Sequence, residues 1–118
     1  MRVLVNGRPG GAIDPLDRGL HYGDGLFETI AIAGGRPRFL EWHLERLTAG
    51  VRRLVFPEPD LATLRAEIAA LIDAPQAVVK LVLTRGAGQR GYRPPRPAHP
   101  TRIVNPDRSS SLLSIRLH

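Results

Sequence analysis

In Asp17-Arg18-Gly19-Leu20-His21-Tyr22-Gly23-Asp24-Gly25-Leu26-Phe27-Glu28-Thr29-Ile30, a polar, glycine-punctuated segment runs directly into an apolar strand pattern. Its first half has the chemistry of a tight turn, with glycines and aspartates beside a histidine and a tyrosine. Its second half continues through Ala31-Ile32-Ala33 and alternates as a strand does. Phe27, Thr29 and Ala31 fall on one face, and Leu26, Glu28, Ile30 and Ile32 fall on the other. A single carboxylate therefore interrupts an otherwise apolar row, and the ordinary reading of such a glutamate is a surface position.

Outward from this stretch, Gly34-Gly35 predicts a tight turn into Arg36-Pro37-Arg38-Phe39, closing a hairpin. Upstream, Arg2 to Val5 followed by Asn6-Gly7 predicts another hairpin, because that dipeptide suits a turn with positive φ at both central positions. Pro9 and two glycines weaken its second arm, around Arg8 to Ile13, and confine it to an edge. Downstream, Leu40, His43 or Leu44, Leu47, Val51 and Leu54 recur at helical spacing from Phe39 to Leu54. His43 and Arg46 share a face of this helix, a face that reads as solvated. After Phe56-Pro57-Glu58-Pro59, Asp60 is placed to cap a second helix from Leu61 to Ile72.

Ala77 to Thr84 is the strongest strand, and its near-continuous apolar character predicts burial on both faces at the sheet centre. Lys80 interrupts it. A desolvated lysine can serve as a Schiff-base nucleophile, but the simpler reading is a side chain that snorkels toward water. Next comes Arg85-Gly86-Ala87-Gly88-Gln89-Arg90-Gly91-Tyr92, a glycine-rich loop whose arginines suit an anionic ligand. It lacks the Lys-Ser/Thr pair of a nucleotide-binding loop. A proline-rich connection then leads to a short strand from Pro100 to Val104, and a serine-rich tail follows from Asn105 to His118.

With 118 residues, 42% of them hydrophobic, the chain suits one domain with a modest core. No apolar run approaches the roughly 20 residues needed to cross a bilayer, and no signal-peptide core is present, so no membrane role is expected and the cytoplasm is the default location. Zero cysteines exclude disulfides and thiolate metal sites, and four scattered histidines predict no metal centre. The net charge of +6 comes from residues spread along the chain, 16 of the 17 being arginine. That pattern argues against a nucleic-acid footprint and leaves small carboxylate-bearing or phosphate-bearing ligands open. The elements together predict an α+β two-layer sandwich, an antiparallel sheet covered on one side by two helices.

Four features in this order resemble the class IV (fold-type IV) pyridoxal-phosphate enzymes, the family of branched-chain and D-amino-acid aminotransferases. They are the Asn6-Gly7 hairpin, Asp17-Arg18-Gly19 with His21 to Glu28, His43-Leu44-Glu45-Arg46-Leu47, and Thr84-Arg85-Gly86 with Arg90-Gly91-Tyr92. The last tripeptide is most similar to the 4-amino-4-deoxychorismate lyase branch, which forms 4-aminobenzoate and pyruvate for folate synthesis. The resemblance spans about Met1 to Val104 and implies the N-terminal small domain of a homodimeric enzyme. It leaves 105–118 as a tail of irregular or unrelated sequence.

The resemblance also implies roles. Arg46 matches the arginine that binds the phosphate of pyridoxal 5'-phosphate. Phe27 stands where relatives place an active-site aromatic, often tyrosine, while Arg90 and Tyr92 match the loop that contacts substrate carboxylates. The family's Schiff-base lysine belongs to a second domain, and Lys80 lies in a strand that matches the first. The resemblance therefore implies no catalytic residue among these 118 and little turnover by this chain alone. A fragment of a D-amino-acid or branched-chain aminotransferase and a non-catalytic interaction module are the alternative readings.

Overall fold

The structure is a computed structural model that describes residues 2–88, 94 and 97–107. Its elements are β1 (Leu4–Val5), β2 (Arg8–Pro9), α1 (Arg18–Tyr22), β3 (Gly25–Ala33), β4 (Arg36–Pro37), α2 (Leu40–Leu54), α3 (Leu61–Ala70), β5 (Gln76–Thr84) and β6 (Thr101–Asp107). The strands form one six-stranded sheet in the order β2-β1-β6-β5-β3-β4, and every pairing is antiparallel.

The hairpins form where the turn residues demand them. Asn6 and Gly7 both adopt positive φ, 51° and 80°, which matches the right-handed twist of the arms they join. β2 ends as a two-residue edge strand at Pro9. Asp60 caps α3 by accepting from the amides of Ala62 and Thr63.

The core lies between one face of the sheet and the helices. Ile30 and Ile32 of β3, Val79, Leu81 and Leu83 of β5, and Val104 of β6 pack against Leu44, Leu47 and Val51 of α2 and Leu64 and Ile68 of α3. The result is the expected α+β two-layer sandwich.

Four expectations need correction. The turn-like segment after Asp17 contains a short helix, α1, because the Asp17 side chain accepts from Gly19 N–H and Gly23 closes the far end in a left-handed conformation. β5 is central, and the helices cover one of its faces. On the other face Val78 and Thr84 are buried at 4% and 6% exposure, but Lys80 is exposed and Val82 half-buried, so burial on both faces holds for only part of the strand. β6 continues to Asp107, so Asn105, Pro106 and Asp107 pair with β5 and the boundary drawn at residue 104 falls inside this strand. Residues 108–118 lie outside the described residues. Glu28, expected at the surface, is buried at 6% exposure, since alternation turns it toward α2.

Candidate active site

The segment that leads into β3 is pinned to the sheet by charged side chains. Asp17 is 1% exposed; its Oδ1 accepts from Gly19 N–H at 2.8 Å and its Oδ2 from the Thr101 hydroxyl at 2.7 Å. α1 approaches β5 so closely that a Cβ on Gly19 would clash with the side chain of Thr84, which leaves room for glycine alone. Asp24 Oδ2 accepts from Arg18 Nε and Arg85 Nε, while the two terminal nitrogens of Arg85 donate to the carbonyls of Val55 and Leu54 at the end of α2. Burial raises the pKa of the Asp24 carboxyl, but its hydrogen bonds with Arg85 and Arg18 and their positive charge outweigh that effect and hold it below the ordinary value.

An open cavity of about 520 Å³ lies on the uncovered sheet face, lined by Asp17, Leu20, Phe27, Lys80, Val82 and Ile103 among others. Phe27 is 61% exposed. Lys80 Nζ sits 4.8 Å from its ring centroid, a separation at which an ammonium is attracted to the ring face. Thr29, directly across from Lys80 in the β3–β5 register, has a buried hydroxyl without a hydrogen-bond partner. Lys80 therefore places a cation on a mainly apolar face, which suits an anionic ligand.

The opposite face of β3 carries a polar cluster inside the core margin. Glu28 Oε1 accepts from His43 Nδ1 at 2.7 Å and from Arg46 Nη2 at 2.7 Å, and Oε2 accepts from Arg46 Nε at 3.0 Å. The Arg46 guanidinium also lies 4.4 Å from the centroid of the Trp42 ring. Burial raises the Glu28 pKa, but hydrogen bonds from Arg46 and His43 and their charge hold the carboxyl below its ordinary value. The bond to Glu28 in turn raises the pKa of Arg46. His43 is buried at 9% exposure, so the helix face that looked solvated is directed at a carboxylate. The lone glutamate in the apolar row of β3 and the His43/Arg46 spacing were the sequence signals of this cluster; only packing joins them.

Arg46 and Phe27 are thus not brought into one cavity: they lie on opposite sides of β3. Beyond β3 the next strand, β4, pairs only with Ile32 and Ala33. Among the described residues, 25–31 of β3 have no paired strand on that side. Arg90 and Tyr92 lie outside the described residues. Lys80, read as a snorkelling side chain, is the cavity-lining residue that the sequence reading did not single out as a site.

The profile of the class IV amino-transferase family matches residues 25–113. The chain belongs to this family. Aminodeoxychorismate lyase from Vibrio harveyi is 37% identical over 91 residues, 76% of this chain and 34% of that protein. The crystal structure of 4-amino-4-deoxychorismate lyase from Pseudomonas aeruginosa superposes with a TM-score of 0.78 at 52% identity, covering 87% of this chain and 38% of that one. A hypothetical aminotransferase from Mycobacterium tuberculosis, solved with pyridoxal phosphate bound, superposes at 0.74 with 27% identity, over 98% of this chain and 43% of that one. The chain spans about a third of the length of the curated relative and under half of either solved chain. The family is pyridoxal-phosphate-dependent, and the residues present fit a phosphate. Arg46 is a permanently charged fork, held on one edge by Glu28 and 55% exposed. No helix among the described residues is long and apolar enough to cross a membrane.

Proposed function

We propose that this chain carries part of the active site of an aminodeoxychorismate lyase, which converts 4-amino-4-deoxychorismate to 4-aminobenzoate and pyruvate in cytoplasmic folate biosynthesis. The observation that carries this reading is the Lys80 ammonium over the Phe27 ring in a mainly apolar cavity, in a chain similar to two lyases. A cation in an apolar cleft suits a flat ring bearing carboxylates.

Each residue has its own part. Arg46 binds the cofactor phosphate through the edge that Glu28 leaves open. Lys80 and Arg90 hold the substrate carboxylates, with Tyr92 contacting the same groups from the glycine-rich loop. Phe27 stacks near the ring and excludes water; without a hydroxyl it neither donates nor accepts a proton. When bound, pyridoxal phosphate supplies an aldehyde for the substrate amine and a ring that accepts electrons as the bond to pyruvate breaks. Lys80 does not act as the Schiff-base lysine, because it belongs to the carboxylate-binding wall. No other lysine occurs in the 118 residues, so the chain alone turns over little or nothing, and the active form is a homodimer that also contains the lysine-bearing part.

Purified chain is mixed with pyridoxal phosphate and 4-amino-4-deoxychorismate, and 4-aminobenzoate is followed by fluorescence. The expected result is substrate binding, detected calorimetrically and weakened about tenfold or more by Lys80→Met, without product at an enzymatic rate. Product formation at the rate of a full-length lyase would overturn the half-site reading. Binding of branched-chain or D-amino acids in preference to the dicarboxylate would overturn the lyase assignment in favour of an aminotransferase.

A further inference from the structure

We propose that Glu28, held in turn by His43, is a positioning residue that aims the Arg46 guanidinium at a phosphate monoester. The inference rests on the reading of Arg46 as the cofactor-phosphate site and adds the residues that set its geometry. An arginine on an exposed helix face samples many rotamers, and a phosphate site built on it must first order it. Here the ordering is already present. Glu28 takes Nε and one proton of Nη2, using both carboxylate oxygens, and Trp42 covers one face of the guanidinium plane. Among the described residues Nη1 has no hydrogen-bond partner, so the Nη1–Nη2 edge points its remaining protons outward. That edge matches two oxygens of one phosphate.

His43 completes the device. An ionised carboxylate accepts only, and the Nδ1–H of His43 at 2.7 Å gives Oε1 a second donor beside Arg46 Nη2. Glu28 is 6% exposed, and its place in the central part of β3, paired with Leu81, gives it a rigid base. A buried charge on an otherwise apolar strand face is costly unless it is fully paired. Holding an arginine that must also face outward accounts for its presence better than packing does.

The test compares three ligands on the purified chain: pyridoxal phosphate, pyridoxal and inorganic phosphate. Binding is read by near-ultraviolet absorbance for the two aldehydes and by the Arg46 Nε–H resonance in nitrogen-edited NMR for all three. Wild type should prefer pyridoxal phosphate over pyridoxal, and both phosphate-bearing ligands should shift the Arg46 resonance. Glu28→Gln, which keeps the shape but offers one acceptor oxygen, should reduce the preference about tenfold, leave pyridoxal affinity unchanged and collapse the resolved Arg46 signal. Glu28→Asp should restore part of the preference, and Arg46→Ala should abolish it. An unaltered preference in Glu28→Gln, alongside its loss in Arg46→Ala, overturns the positioning role and leaves the phosphate site standing. Equal weakening of all ligands with a lowered melting temperature assigns Glu28 a structural role and likewise overturns it. If wild type lacks the preference, or Arg46→Ala retains it, the phosphate site itself falls, and the inference falls with it.

Discussion

The two faces of one strand make opposite use of similar sequence. On β3, Ile30 and Ile32 lie at 0% and 1% exposure beneath the helices, while Phe27 on the other face is 61% exposed over the cavity. Glu28 is buried and fully paired, whereas Lys80, on the open face of β5, has an aromatic ring for company. The covered face spends its one charge on holding another side chain still. The open face presents its charge to a ligand. Residue type alone does not separate the two roles; the helices, by lying on one side only, do.

That contrast can be broken by mutation. Ile30→Ala should cost about 2–5 kcal/mol, as removal of buried methylenes from a packed core does, whereas Phe27→Ala should stay within about 0.5 kcal/mol, as surface changes do. Urea unfolding followed by circular dichroism measures both, and equal costs would mean that the open face is covered. Removing the pin at the site entrance has an intermediate effect. Asp17→Ala strands the Thr101 hydroxyl and Gly19 N–H and should cost about 1–3 kcal/mol, read as a lowered thermal midpoint.

Acid probes the paired carboxylates. Glu28 and Asp24 are held below their ordinary values of 4.5 and 3.8, so the folded state binds fewer protons there than the unfolded state. Their contribution is therefore complete above those values and is lost as pH falls through the lowered folded ones. The urea midpoint should be level from neutral pH down to about 5 and then drop, and Glu28→Gln should show a shallower drop. The smallest effect on stability belongs to Lys80→Met. It should change the unfolding free energy by less than about 0.5 kcal/mol, which separates its role in ligand binding from any role in folding.

Much of the architecture was legible in local chemistry. Asn6-Gly7 and Gly34-Gly35 dictate hairpins, the alternation of Leu26 to Ala33 assigns faces, and the 3.6-residue spacing of Leu40 to Leu54 specifies α2. The site was legible only in pieces. Glu28 looked like a surface residue because strand alternation says which residues share a face but not which face is covered. His43 and Arg46 looked solvated because helix spacing does not reveal the partner across the interface. Arg90 and Tyr92 rest on motif likeness alone, as they fall outside the described residues.

By itself the sequence determined the elements, their turns, the side-chain faces of β3 and, through its ordered motifs, the class IV family, because these depend on neighbours within a few residues or on patterns along the chain. Tertiary structure decided the strand order, the burial of Glu28 with His43 and Arg46, and the separation of Arg46 from the Phe27–Lys80 cavity. Those outcomes depend on residues 15 to 100 positions apart meeting across a sheet whose two faces are made unlike by where the helices pack.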